Sequence, residues 1–122
     1  MKKVKLFEEK GVTSIKIEVE IHDSGDLSIN GLDIGKAPQE SFGDSDYEYW
    51  LTISKNYKDI ILAALVEHCN RNHIEVPPAP QNKDDTLLAL IQLIYGGHYS
   101  AFSEFRNFLD SINVPSEFSS YS

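Results

Sequence analysis

The sequence predicts an α+β domain, an antiparallel four-stranded sheet from the N-terminal half with three helices packed on one of its faces. Three observations predict it. Apolar and polar residues alternate through the first half, at Ile15, Ile17, Val19 and Ile21 and again at Tyr47, Tyr49, Leu51 and Ile53, which is the period of a half-buried strand. Beyond residue 55 the period lengthens to that of a helix, at Ile60, Ile61, Ala64, Leu65 and Cys69. Strands first and helices after them are the order of an α+β fold. A chain of 122 residues, 41% hydrophobic, is expected to form one domain, 1–122, around one core.

In order along the chain, VKLF (4–7) reads as a short first strand and TSIKIEVEI (13–21) as a second, with one face on a core and one in water. The turn residues HDSGD (22–26) lead into LSIN (27–30) as the other arm of a hairpin. Gly31, Gly35, Pro38 and Gly43 punctuate an aperiodic connection before YEYWLTIS (47–54), the fourth strand. Asn56 is a cap for the first helix, with Asp59 near the positive end of its dipole. Pro77, Pro78 and Pro80 break the chain before a second helix from Asp84 or Asp85, which Gly96 and Gly97 end. A third helix spans about 100–112, with Phe102, Phe105, Leu109 and Ile112 on one side. The tail NVPSEFSSYS is too short and polar for a helix, although Phe118 can dock on the core.

Nineteen acidic against eleven basic side chains give a net charge of −8, which excludes a sequence-independent grip on nucleic-acid phosphates and favours a basic protein partner. The N-terminus lacks the apolar run of a secretory signal, so the mature chain is expected to begin near Met1. The longest apolar run, Ile60 to Val66, is seven residues. A membrane span needs ~20. Cys69 is the single cysteine, so no intrachain disulfide can form, and a reducing compartment, the cytoplasm, is expected.

Asp44, Asp46 and Glu48 alternate, which on an extended backbone sets them on one face, roughly 7 Å apart. They do not fit a calcium loop, because Tyr49 falls where that loop needs glycine and Lys55 where it needs glutamate. His68, Cys69 and His73 lack the further ligands of a zinc site. Neither a phosphate loop nor a G-x-S-x-G elbow occurs. No metal, no cofactor and no catalytic residue is expected. Leu51 and Ile53 belong inside, which leaves Trp50 beside Glu48 on the opposite face, either covered by the 31–43 connection or exposed as an interface anchor with an acidic rim.

GLDIGKAPQESFGDSDYEYWLTIS (31–54) resembles a pattern of small, uncharacterised bacterial proteins, G-x-D-L-G followed by an acidic D-Y-E-Y-W-x-T-V strand. Gly31, Asp33, Gly35, Asp46, Tyr47, Glu48, Tyr49, Trp50 and Thr52 carry the match. Those proteins typically end in a helix and a segment close to G-I-P-x-E-F-W-S. Here Val114, Pro115, Glu117 and Phe118 follow it, with Asn113 in place of the glycine and Ser119 in place of the tryptophan. The resemblance implies a fold and no reaction. Its small, acidic, cytosolic character is similar, in type rather than in motif, to immunity proteins of polymorphic or contact-dependent toxins.

The expected function is thus a non-enzymatic acidic protein-binding domain, an immunity-type inhibitor of a basic toxin domain, with Asp33, Asp44, Asp46, Glu48 and Trp50 as its contact residues. The alternative is a small hydrolase-like enzyme with a pocket where the 31–43 connection meets the sheet edge, using Asp33 or Glu40 with a histidine. An acidic mimic of nucleic acid is a third reading.

Overall fold

The computed structural model describes residues 2–35, 46–76 and 82–121. Within them one antiparallel sheet runs in chain order: β1 (Lys2–Glu9), β2 (Thr13–Ile21), β3 (Leu27–Gly35), β4 (Asp46–Ile53) and β5 (Glu117–Tyr121). Between β4 and β5 come a 3-10 turn, Lys55–Tyr57, and the helices α1 (Lys58–Arg71), α2 (Lys83–Tyr95) and α3 (Ala101–Ser111). The α+β class, the antiparallel sheet and the three helices are those predicted.

The strand count is not. The sheet has five strands rather than four, because the tail pairs with β4 from Glu48↔Tyr121 to Thr52↔Glu117. EFSSY has no apolar alternation of its own. Its extended form is fixed by hydrogen bonds to an edge that β4 would otherwise leave open. Phe118 does reach the core side, opposite Leu51, edge-on to Phe102 at 6.2 Å and under the Arg106 guanidinium at 4.9 Å.

A second difference concerns β3, which continues through Gly31 to Gly35 where an aperiodic connection was expected. Position 31 requires glycine because the Tyr49 ring lies across it. A Cβ there would sit 2.0 Å from Tyr49 Cε2. The first helix is also capped differently: the Ser54 hydroxyl accepts from Asn56 N at 3.3 Å, and α1 proper begins three residues after that turn opens, at Lys58. Asn82 caps α2 by accepting from Asp84 N at 2.8 Å.

Alternation decides which side of the sheet is buried. Ile17, Val19, Ile21, Leu27, Ile29, Leu51 and Ile53 point to one face and join Ile61, Leu65, Leu90, Phe105 and Leu109 of the helices in one core, with Ile15 at its margin. In β1 a bulge between Lys5 and Phe7 lets two successive side chains, Leu6 and Phe7, both turn toward that core.

Helices α1 and α3 end alike. His73 and Asn113 take left-handed φ values of 54° and 58°. The next residues, Ile74 and Val114, donate back to the Cys69 and Leu109 carbonyls at 2.8 and 3.0 Å, the closing bond of a Schellman turn. Asn113 tolerates that conformation better than most residues because its short polar side chain can bond locally.

Candidate functional site

Among the described residues one face of the sheet carries no helix, and that face is ordered by register. One cross-strand row reads Lys5, Glu18, Asn30, Trp50, Ser119 and the next reads Glu8, Lys16, Leu32, Glu48, Tyr121. Ser14, Ile34 and Asp46 continue beyond them on one side; Lys3, Glu20, Ser28, Thr52 and Glu117 lie on the other. Trp50 is half-buried near the middle of this face. It forms part of a concavity of about 260 Å³ with Glu18, Asn30, Leu32, Glu48 and Lys16. A second concavity, about 330 Å³, continues from Lys16 and Leu32 past Ile34 to the turn at Gly11.

Charge is unevenly spread across the sheet. The lysines sit on β1 and β2, where Lys3 and Lys16 approach Glu18 at 3.9 and 3.7 Å and Lys5 approaches Glu8 at 3.2 Å. Strands β3, β4 and β5 carry Asp33, Asp46, Glu48 and Glu117 and neither lysine nor arginine. Among the described residues no cation pairs with Glu48. Among the described residues, the strands around Trp50 therefore contribute carboxylates and no cation, while Lys16 of β2 borders its concavity.

Of the residues singled out from the sequence, Asp46, Glu48 and Trp50 come together on this face, at every second position of β4. Asp44 and Glu40 lie outside the described residues. Asp33 does not join the others. It opposes Tyr47 and Ile15 on the helix-covered side, where its carboxylate accepts the Tyr49 hydroxyl at 3.0 Å. Burial raises the Asp33 pKa and the Tyr49 bond pulls the other way. The Tyr49 phenol is itself pushed up, first by burial and then by the neighbouring Asp33 charge. Tyr49 is fixed by packing: Phe102 meets its ring edge-on at 4.8 Å and Tyr47 lies at 5.3 Å.

Glu18, Asn30 and Leu32 belong to the site but were not singled out from the sequence. They reach Trp50 and Glu48 only through the β2–β3 and β3–β4 registers. The period of β2 places Glu18 in water, and the short 22–26 turn was the one signal that could have aligned it with Asn30.

Two other arrangements gather polar side chains. His22 lies between Glu20, at 3.1 Å from Nδ1, and the Ser28 hydroxyl, at 2.8 Å from Nε2. That is the connectivity of a serine–histidine–carboxylate relay. Ser28 is only 2% exposed, however, so a substrate carbonyl has no approach to its oxygen. The trio instead clamps the β2–β3 turn, where His22 N donates to Asp26 O at 2.9 Å and Gly25 N to His22 O at 2.8 Å. A larger cleft, about 520 Å³, opens where α1 and α2 begin and is lined by Lys55, Lys58 and Lys83 together with Asp59 and Asp84. Pairs Lys58–Asp84 at 3.0 Å and Lys83–Asp59 at 3.8 Å cross it and neutralise one another.

Among the described residues no group of three or more His, Cys, Asp or Glu is placed to hold a metal ion. No helix there is long and apolar enough to cross a membrane. No family model, no curated protein and no solved structure matches the chain.

Proposed function

We propose that this protein is an acidic protein-binding domain, most concretely an immunity-type inhibitor of a basic toxin domain, which it engages through the open sheet face at Asp46, Glu48 and Trp50. The observation that carries this is the half-buried Trp50 on a helix-free face whose nearest strands hold carboxylates and no cation. An aromatic side chain left partly in water gains most when a partner completes its burial, and such residues dominate interface energetics. Carboxylates around it raise the encounter rate with a basic partner. The hydrolytic alternative is the weaker one. Asp33 lies on the helix-covered side, and among the described residues no histidine hydrogen-bonds to it.

The test uses a purified basic toxin domain, sought first in the reading frame next to the gene for this chain. Rim charges act on association and its salt dependence, whereas a buried anchor acts on dissociation. Asp46→Asn with Glu48→Gln is expected to slow association and flatten its dependence on ionic strength. Trp50→Ala is expected to speed dissociation, costing about 2 kcal/mol or more. If both variants stay folded and bind as the parent does, the interface lies elsewhere.

A further inference from the structure

We infer that the Trp50 concavity is a recognition site for an arginine side chain of the partner, an inference that rests on the protein-binding proposal above. At about 260 Å³ the space suits one long side chain rather than a helix. Its surfaces are of three kinds. The half-buried indole of Trp50 offers an aromatic face on which a planar cation can stack. Glu48, two residues before Trp50 on β4, and Glu18, two strands away in the Trp50 row, offer carboxylates on two sides. Asn30, between Glu18 and Trp50, adds an amide.

A guanidinium satisfies all three at once. It is flat, weakly hydrated and carries five N–H donors in a fixed fork, so it can stack and still donate to two acceptors. An ammonium group is a compact, strongly hydrated point charge that stacks less well. The charges already present refine the arrangement. Lys3 and Lys16 both lean on Glu18, at 3.9 and 3.7 Å, whereas Glu48 has no cationic partner among the described residues. Glu48 is thus the principal carboxylate for an incoming arginine, and Lys16 competes with it for Glu18.

Trp50 is the only tryptophan in the chain, so its fluorescence reports this site without labelling. The probes are acetyl-Gly-Arg-Gly-amide and the corresponding lysine and citrulline peptides, titrated at constant ionic strength. The arginine peptide should shift Trp50 emission saturably. The lysine peptide should bind about threefold or more weakly, and the neutral citrulline peptide more weakly still. Glu48→Gln should weaken arginine binding, and Lys16→Met should tighten it. Equal response to arginine and lysine in the unmodified protein, or no saturable response to arginine, overturns the inference without recourse to a variant that must fold. Failure here and failure of the protein-binding proposal are distinguishable. Loss of toxin binding in Trp50→Ala without any arginine preference removes only the subsite. Arginine preference alongside toxin kinetics indifferent to Trp50 removes only the proposed interface.

Discussion

Asp33 illustrates how one residue's role turns on which face of a sheet it occupies. Its sequence neighbourhood, a glycine-punctuated stretch leading to an acidic strand, groups it with Asp46 and Glu48. In the fold β3 keeps its alternation through Gly31, and Asp33 turns to the helix-covered side beneath Tyr49. That placement has a pH consequence. The folded state holds the Asp33 proton to a higher pH than the unfolded chain, whose value is near 3.8. Stability from this group is therefore highest below the ordinary aspartate range, falls as pH rises through the raised folded value, and stays lower above it. Asp33→Asn keeps an oxygen for the Tyr49 hydroxyl and removes the cost of a half-buried charge. The variant should melt higher than the parent at neutral pH and match it in acid, where both side chains are neutral. A lower melting temperature at neutral pH would show that Tyr49 requires the carboxylate. The inward direction of Tyr49 was legible from Leu51 and Ile53, but the position of Asp33 was not. It depends on β3 continuing through Gly31, paired with Ile17 and Tyr49, where the tyrosine ring packs across the glycine.

Elements that a hydrophobic period defines were readable; elements completed by a partner were not. β2, β4 and the three helices each carry enough apolar repeats to announce themselves, whereas β5 takes its form from the β4 edge. The helix ends are intermediate cases. Gly96 stops α2 as its residue type suggests, but α1 and α3 end on His73 and Asn113 in the left-handed region. A β-carbon in that conformation costs roughly 1–2 kcal/mol for most residues, and less for asparagine, whose side chain bonds locally. His73→Gly should therefore raise stability by about 0.5–1 kcal/mol, offset in part by glycine's greater unfolded-state entropy. Asn113→Gly should change it by less. Denaturant unfolding of the two variants compares them directly. A destabilised His73→Gly would mean that the imidazole makes contacts worth more than the backbone strain it imposes.

At the scale of the whole molecule, the order of the chain and the order of the sheet together dictate how it unfolds. The strands lie in chain order, yet α1, α2 and α3 intervene between β4 and β5, so the sheet is completed only after the helices have crossed its face. Helices and sheet also share one core: Ile29 from the middle of the sheet and Leu109 from the last helix are both fully buried in the same cluster. The expected behaviour is a single cooperative transition in which far-UV circular dichroism, dominated by the helices, and fluorescence of Trp50 on the opposite sheet face give coincident curves. Ile29→Ala and Leu109→Ala should each lower that one transition, by about 2–5 kcal/mol for a fully buried aliphatic side chain. Both probes should move together in both variants. A Leu109→Ala protein whose dichroism falls well before its tryptophan signal would show that the sheet holds without α3. In that case β5, which follows α3 directly through the Asn113 turn, would be expected to leave β4 with it and expose the edge beside Trp50.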